Sequence, residues 1–431
     1  MYRTLYNDLL EWKDSNDRKP LVLFGARQTG KTWLLKEFGT NEYSNVAYIN
    51  CDNNPVMGNA FIDYDTERLI RVFSAVSNER IEKDKTLIVL DEVQEIPAAL
   101  TSLKYFCEQE PEYHIAVAGS LLGLSVHSGS GYPVGKTDEL TIYPMSFKEF
   151  MMAGGYDVLL NNLETHEWDE MNTYKDKFIE LLRQYYFTGG MPEVVEYYFR
   201  TKDIHGTRNI QNRILNDYDQ DFSKHIPAAT LAKVRLVYNS IPSQLAKENK
   251  KFIYGAIKKG GRAKEFEDAI QWLVNAGLIY RVARIKKIEM PVKFYEEYES
   301  FKLFLSDLGL LGAMSNVPAS QILVGDNVFS EYKGAFTEQY VAQQIKTEGI
   351  VPYYYTNANS TMEIDFVIQK EEVHPIEVKA EENLRSKSLK TVIENNPELT
   401  GWRFSMSGYR NQDWLINIPL PLIQEWIKAA K

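Results

Sequence analysis

The chain has 431 residues, 44% of them hydrophobic and 25% charged, which is typical of a globular protein with about two to four domains. No apolar run approaches the ~20 residues that a membrane-spanning helix needs, and the first residues lack the apolar core of a signal peptide. The 2 cysteines provide neither a disulfide framework nor metal-ligand spacing, so we expect a cytoplasmic protein with no membrane partner.

Charge is distributed unevenly along the chain. The formal net charge of −10 disfavours nucleic acid as a partner of the chain as a whole. Between Leu231 and Lys293, however, there are 14 Lys and Arg residues against 5 Asp and Glu. One basic segment in an acidic protein is more informative than the total charge.

Residues 1–150 alternate short apolar runs with helical patterns, which predicts an α/β domain with a parallel sheet covered by helices. The predicted strands are rich in Val, Ile and Leu with little polar alternation, as in strands buried on both faces. They are Leu21–Phe24, Val46–Asn50, Leu87–Leu90, Ile115–Ala118 and Leu140–Ile142. Ligands of such sheets bind beyond the carboxyl ends of the strands.

The segment after the first predicted strand fits the pattern G-x-x-x-x-G-K-[ST]. It consists of Gly25, Ala26, Arg27, Gln28, Thr29, Gly30, Lys31 and Thr32. Its backbone N–H groups and the following helix N-terminus suit phosphate oxygens. Lys31 can reach the β- and γ-phosphates, and the Thr32 hydroxyl can ligate Mg²⁺. The segment therefore predicts nucleotide binding, with Arg27 structural or facing solvent.

A second motif of the same chemistry ends the third predicted strand. Asp91 can serve Mg²⁺ through water, and Glu92 can orient and activate the water that attacks the γ-phosphate. Ser120, after the next strand, is a candidate γ-phosphate sensor. A glycine-rich loop alone, or a strand that ends in acidic residues alone, can occur by chance. The presence of both motifs in this order predicts ATP binding and hydrolysis. No guanine-reading Asn-Lys-x-Asp motif is present.

The rest of the chain divides into three predicted segments. Residues 151–227 are expected to form a helical lid or linker, with a helix start at Pro192. Residues 228–299 predict a winged helix-turn-helix, because an amphipathic helix over Ala263–Ala276 precedes strands at Leu278–Ile285 and Val292–Tyr298. Residues 300–431 predict a final α/β domain, whose helix is Lys333–Ile345 and whose strands include Glu363–Ile368 and Pro375–Val378.

Basic residues of the winged segment are candidates for DNA contact. They occur at the helix start and in the wing, where a winged domain contacts phosphates, and comprise Lys258, Lys259, Arg262, Lys264, Arg281, Arg284, Lys286 and Lys287. The simpler interpretation is a solvated charged face. No sequence specificity is readable from it.

A third constellation lies in the last segment. Asp365, Glu377 and Lys379 have the spacing D-x₁₁-E-x-K, which is that of a metal-dependent nuclease core. Glu338 on the preceding helix can add a carboxylate. An Asp and a Glu can hold Mg²⁺ while the Lys positions the attacking water. The alternative is a surface hairpin whose charges face solvent.

The chain as a whole resembles bacterial and archaeal AAA+-type ATPases that join a P-loop domain to a C-terminal domain of unknown function with a restriction-endonuclease-like core. The matching stretches are Gly25–Thr32, Leu87–Gln94, Ala118–Leu122, Tyr143–Phe150, Gly189–Val194, Leu273–Ile279, Gly334–Ala342 and Glu363–Lys379. The resemblance implies the ATPase and nuclease-like roles given above for these residues. Met145 stands where Leu is expected in this family.

Three functions remain open from the sequence. The first is an ATPase that moves DNA-contacting C-terminal domains, with or without endonuclease activity. The second is a nucleotide-dependent switch that acts on a protein partner and cleaves nothing. The third is a signalling or defence ATPase that assembles into a homo-oligomer on binding ATP.

Overall fold

The computed structural model describes residues 2–120, 131–247, 250–324, 330–357, 359, 361–380 and 385–430. The chain divides into two compact units. Unit 1 contains residues 1–143 and 275–277, and unit 2 contains residues 144–274 and 278–431. Of the stretch Ala118–Leu122, Leu121 and Leu122 lie outside the described residues.

The described residues of unit 1 form a five-stranded sheet in the order β2-β3-β4-β1-β5. All of its pairings are parallel, which confirms the predicted α/β sheet. Its strands are β1 (Leu21–Phe24), β2 (Asn45–Asn50), β3 (Thr86–Asp91), β4 (His114–Ala118) and β5 (Asp138–Thr141). Each overlaps a strand expected from the apolar runs.

Burial explains why this sheet forms the centre of unit 1. Every residue of β3 and β4 is buried, as expected for parallel strands covered on both faces. Alternate residues of β3 belong to different apolar clusters: Ile88 and Leu90 to one, Leu87 and Val89 to the other. The helices of unit 1 are α1 (Leu5–Asp14), α2 (Lys31–Glu42), α3 (Pro55–Gly58), α4 (Thr66–Ser77) and α5 (Pro97–Gln109).

In unit 2 the described residues form an eight-stranded mixed sheet in the order β12-β13-β11-β10-β9-β8-β6-β7. Its strands are β6 (Ile279–Ile285), β7 (Glu296–Leu305), β8 (Tyr353–Thr356), β9 (Glu363–Gln369), β10 (Val373–Lys379), β11 (Gly401–Ser405), β12 (Arg410–Gln412) and β13 (Leu415–Pro419). The pairs β10–β11, β11–β13 and β6–β8 are parallel.

The predicted wing is a hairpin of this larger sheet. Strands β6 and β7 are antiparallel partners, and β6 also pairs with β8 in parallel. The predicted second wing strand at Val292–Tyr298 instead begins as a 3-10 turn over Val292–Tyr295, and β7 runs from Glu296 to Leu305. The predicted domain boundary after residue 299 therefore falls inside a strand, and the winged-helix assignment stays a prediction.

Helices make up most of the remaining chain. They are α6 (Phe147–Ala153), α7 (Asp157–Glu164), α8 (Lys175–Thr188), α9 (Pro192–Thr201), α10 (Ile204–His225), α11 (Ala228–Leu245), α12 (Tyr254–Ile257), α13 (Ala263–Asn275), α14 (Leu308–Met314), α15 (Ala319–Val324), α16 (Ser330–Thr347), α17 (Lys387–Asn395) and α18 (Ile423–Ala429). In the described part of the chain, none has the length and apolarity that a bilayer crossing requires.

A buried aspartate ties distant segments of unit 2 together. Asp307 caps α14 by accepting the Leu310 N–H at 2.9 Å, and it also accepts the Gly190 N–H at 2.6 Å. A Cβ at Gly190 would lie 2.0 Å from the Met145 carbonyl oxygen. The glycine thus allows the backbones to approach closely, which accounts for the Gly189-Gly190 pair before α9.

Candidate nucleotide-binding site

The loop between β1 and α2 has the backbone geometry of a phosphate loop. Gly25, Gln28 and Gly30 have φ angles of 149°, 66° and 95°. A Cβ at Gly25 would lie 2.4 Å from the Ile142 carbonyl oxygen, so only glycine fits there. Because α2 begins at Lys31, the unpaired N–H groups of its first turn lie directly after the loop, which favours an anion there.

Lys31 is folded back onto this loop. Its ammonium donates to the carbonyl oxygens of Gly25 at 2.8 Å and Ala26 at 2.7 Å. Burial lowers the pKa of Lys31 to about 8, against the opposing charges of Glu92 and Asp91. The ammonium is thus held among loop carbonyls, within the segment that the sequence predicts to bind phosphates.

Arg3 supports the loop from the N-terminus, and sequence reasoning missed it. Its guanidinium donates to the Thr29 carbonyl and to the Tyr143 carbonyl, both at 2.6 Å. The Thr29 hydroxyl in turn donates to the Ala26 carbonyl at 2.8 Å. Arg27 is exposed, as expected for a residue of the loop that faces solvent.

Asp91 and Thr32 lie side by side at the carboxyl end of the sheet. The Thr32 hydroxyl donates to Asp91 Oδ2 at 2.6 Å, and the Tyr48 hydroxyl donates to the same oxygen at 3.0 Å. Burial, reinforced by the Asp91 charge, raises the pKa of Tyr48. Tyr48 carries no motif signal, although its place near the end of the neighbouring strand β2 offered a positional clue.

Glu92 points toward the predicted sensor. Gln94 donates to Glu92 Oε2 at 2.6 Å, and the Ser120 hydroxyl donates to the same oxygen at 3.2 Å. Glu92 has a φ of 51°, an uncommon conformation for a residue with a side chain. The structure therefore brings Lys31, Thr32, Asp91, Glu92 and Ser120 to one end of the sheet in unit 1.

These residues fit a nucleotide with Mg²⁺. A hydroxyl oxygen and a carboxylate oxygen 2.6 Å apart are hard donors, which Mg²⁺ prefers together with phosphate oxygens and water. The positive-φ backbone positions and the start of α2 suit the phosphates. Thr32 and Asp91 are therefore the residues that would hold the ion, directly or through water.

Three of the predicted nuclease-like residues, Asp365, Glu377 and Lys379, lie on one sheet in unit 2. Asp365 on β9 accepts the N–H of Val378 on β10 at 2.8 Å. Burial, with the charge of Glu338 added, raises the pKa of Asp365 to about 7. The ammonium of Lys379 is 2.6 Å from Glu377 Oε1. The hairpin thus joins Asp365 to the strand of Glu377 and Lys379, as the sequence suggested.

Two lysines outside the motif also contact this region. Lys250 lies 2.6 Å from Glu338 Oε1, and Lys302 lies 3.6 Å from Glu338 Oε2 and 2.5 Å from Glu363 Oε1. Sequence reasoning missed both lysines. Among the described residues, no group of three or more His, Cys, Asp and Glu side chains is arranged to hold a metal ion.

Most of the predicted DNA-contacting cations are paired with glutamates. Each pair joins one cation to a carboxylate within 3.6 Å, namely Lys258–Glu265, Arg281–Glu267, Arg284–Glu297, Lys286–Glu297 and Lys287–Glu289. Arg281 also lies over the rings of Tyr298 and Phe301. Lys259, Arg262 and Lys264 are exposed, and they make no ion pair with the described residues.

The segment that contains the first site is similar to a known family. Residues 17–151 match a family model described as an AAA domain. This match supports a P-loop ATPase of the AAA type in this segment. Residues 179–321 and 333–422, which follow the AAA domain, match models of domains of unknown function, DUF8612 and DUF4143. None of the curated proteins matches the chain.

The chain also has distant similarity to solved structures. One is the Walker-type ATPase PABY2304 of Pyrococcus abyssi, at 15% identity over 73% of this chain and 95% of that chain, with a TM-score of 0.44. The Aeropyrum pernix ORC1 protein, solved in complex with DNA, is 14% identical over 74% and 92%, with a TM-score of 0.28. Cdc6p from Pyrobaculum aerophilum is 11% identical over 74% and 92%, with a TM-score of 0.23.

Proposed function

We propose that the chain is a Mg²⁺-dependent ATP hydrolase whose nucleotide cycle controls what unit 2 binds. The main observation behind this proposal is the hydrogen bond from the Thr32 hydroxyl to Asp91 Oδ2, at 2.6 Å. Glu92 and the buried Lys31 lie at the same end of the sheet. The match of residues 17–151 to an AAA domain supports it. Binding alone needs only the loop and Asp91, whereas the added carboxylate of Glu92 suits hydrolysis.

The contacts of the side chains support a role for each of them. Lys31, which donates to the Gly25 and Ala26 carbonyls, would donate to phosphate oxygens when a nucleotide binds. Glu92 would orient the attacking water, and Ser120, which donates to Glu92 at 3.2 Å, would sense the γ-phosphate. Thr32 and Asp91 would hold Mg²⁺, which would neutralise phosphate charge.

The first candidate for what the nucleotide cycle controls is the binding of DNA by unit 2. The exposed cations Lys259, Arg262 and Lys264 lie on the segment that enters α13, where they are free to meet phosphates. Endonuclease activity through Asp365, Glu377 and Lys379 is the further prediction of this candidate. Metal-dependent cleavage of plasmid DNA that is lost in Asp365→Ala and kept in Lys31→Ala would support it.

A switch that acts on a protein partner, or on other copies of the chain, is the second candidate. The pairing of Arg281, Arg284 and Lys302 with glutamates favours it, because paired cations attract phosphates weakly. ATPase turnover measured with single-stranded DNA, duplex DNA and RNA separates the two candidates. Stimulation supports nucleic acid as the partner, and a flat response supports the protein partner.

Replacement of Glu92 by Gln tests the hydrolase. The change keeps the size of the side chain and removes its charge, so we expect ATP to bind with unchanged affinity while turnover falls by about 100-fold or more. Calorimetry measures the affinity and phosphate release measures the turnover. Arg27→Gln, an exposed change in the same loop, is the control that should retain turnover. Normal turnover in Glu92→Gln would mean that another group activates the water.

A further inference from the structure

Unit 2 contains a partly buried acidic cluster, which we define as Glu338, Glu363 and Asp365. Glu338 lies on α16, and the other two lie on β9. Glu338 is 5% exposed, and Asp365 is held by the Val378 N–H at 2.8 Å. Burial of a charged carboxylate such as that of Glu338 is costly unless a cation pairs with it.

The cation found there is the ammonium of Lys302. Its side chain is fully buried, with Nζ 2.5 Å from Glu363 Oε1 and 3.6 Å from Glu338 Oε2. The ring of Tyr354 lies beneath it, with the centroid 5.0 Å from Nζ. Lys302 belongs to β7 between Phe301 and Leu303, which are both buried, so its backbone is fixed in the sheet.

Lysines also pair with the two glutamates that were predicted to bind Mg²⁺. Lys250 lies 2.6 Å from Glu338 Oε1, whereas Glu338 Oε2, 3.6 Å from Lys302, and Glu377 Oε2 accept no hydrogen bond from the described residues. Lys379 lies 2.6 Å from Glu377 Oε1. Each of the two glutamates expected to bind Mg²⁺ thus already has a lysine partner.

A divalent ion held by Glu338 and Glu363 would compete with the Lys302 ammonium. Mg²⁺ requires oxygen ligands at about 2.0–2.1 Å in octahedral geometry, whereas Glu363 Oε1 and Glu338 Oε2 lie 2.5 Å and 3.6 Å from the Lys302 nitrogen. Moving Lys302 aside would leave an ammonium without a partner in a buried sheet, which is costly. Lys302 therefore opposes the binding of a divalent ion by these two glutamates.

We propose that Lys302 is the resident cation of the acidic cluster, and that the cluster is a buried ion-pair network that joins β7, β9 and α16 instead of a divalent-metal site. This network belongs to unit 2 and uses none of the residues of the AAA domain. The inference therefore stands or falls separately from the proposed ATP hydrolase. It predicts that a divalent-metal site appears only when the ammonium is removed.

Binding of Mn²⁺, followed by electron paramagnetic resonance, tests the proposal. The full chain carries Asp91→Asn so that the nucleotide site contributes little, and no nucleotide is added. We expect the same Mn²⁺ binding with and without Asp365→Asn, because the cluster binds no metal. A Mn²⁺ ion that Asp365→Asn removes would overturn the proposal.

A second experiment removes the Lys302 ammonium and measures Mn²⁺ binding in the same way. Lys302→Met keeps the length of the side chain and should create a Mn²⁺ site in the same background, which Asp365→Asn then abolishes. Lys287→Met, on an exposed lysine of the same hairpin, is the control that should create none. No new Mn²⁺ site in a folded Lys302→Met chain would contradict the assignment of Lys302 as the resident cation.

If Lys302→Met folds poorly, melting temperatures test the Lys302–Glu363 ion pair instead. Loss of the ammonium leaves Glu363 without its partner, so the double variant Lys302→Met, Glu363→Gln should melt at a higher temperature than Lys302→Met alone. Melting of the double variant at or below the temperature of Lys302→Met would show that the pair is not a network contact. Thermal melts of the full chain without added metal give this comparison even at low yield.

Discussion

At the residue scale, the candidate nucleotide site combines residues of sequence motifs with hydrogen-bond partners that belong to no motif. Lys31, Thr32, Asp91 and Glu92 were identified from local patterns, because a phosphate loop needs these residue types at fixed spacing. Arg3 and Tyr48 were not. Arg3 reaches the Thr29 carbonyl and, 140 residues along the chain, the Tyr143 carbonyl, and such long-range partners leave no trace in a local pattern.

The lowered pKa of Lys31 makes nucleotide binding sensitive to pH. Burial lowers this pKa to about 8 in the chain without nucleotide, whereas an exposed lysine titrates near 10.4. Between these values the folded chain binds fewer protons than the unfolded chain, so this group makes stability rise with pH there. Phosphate favours the charged ammonium, so nucleotide binding in that window takes up a proton.

We therefore expect ATP affinity to fall as pH rises above about 8. Calorimetry in two buffers of different ionisation enthalpy gives the number of protons taken up, which should be larger at about pH 9 than at about pH 7.5. Arg27→Ala removes a positive charge that helps to lower this pKa, so the difference should become smaller. Equal proton uptake at the two values would show that Lys31 stays charged without nucleotide.

At the scale of elements, sequence patterns located the strands of unit 1 well, but they did not show which sheet the hairpin of unit 2 joins. The parallel strands are continuous apolar runs with glycine or acidic residues at their ends, so their bounds are readable. The sequence also predicted strands at the positions of β6 and β7. It did not predict that they belong to the larger sheet, because the pairing of β6 with β8 joins segments about 70 residues apart, and no local pattern encodes such a pairing.

Asp307 gives a prediction at this scale. It is fully buried and accepts the N–H groups of Gly190 and Leu310. Asp307→Ala leaves both donors without partners, which should lower the free energy of unfolding of unit 2 by about 3 kcal/mol. Calorimetric melting of the full chain measures the loss.

The matched control is Asp203→Ala. Asp203 caps α10 by accepting the His205 N–H at 3.0 Å, but it is exposed, so its loss should cost about 1 kcal/mol. Equal destabilisation by the two changes would mean that the buried contact with Gly190 contributes nothing beyond capping.

At the scale of the whole molecule, ion pairs reduce the basic surface that the sequence suggested. The excess of Lys and Arg between Leu231 and Lys293 suggested a basic surface. The structure pairs Arg281, Arg284 and Lys258 with glutamates. Among the candidate DNA-contacting cations, Lys259, Arg262 and Lys264 are exposed and make no ion pair with the described residues.

Charge reversal of Arg262 and Lys264 tests this surface. If the segment contacts phosphates, the double change to Glu should weaken DNA binding and reduce the slope of log affinity against log salt by about 1–2. Fluorescence anisotropy at several salt concentrations measures both quantities. Reversal of Lys286 and Lys287, which are paired with glutamates, changes the net charge equally and should have a smaller effect. Unchanged affinity and slope in the Arg262, Lys264 variant would contradict DNA contact at this segment.

The sequence by itself determined the phosphate loop, the acidic strand end and the parallel sheet that presents them, because each depends on residues close together in the chain. Only the tertiary structure decided what surrounds the carboxylates of unit 2. Lys302 meets Glu363 across 61 residues, and Lys250 meets Glu338 across 88. Whether a carboxylate faces a metal ion or a lysine depends on which distant strand packs beside it, and packing of that kind is fixed only when the sheet assembles.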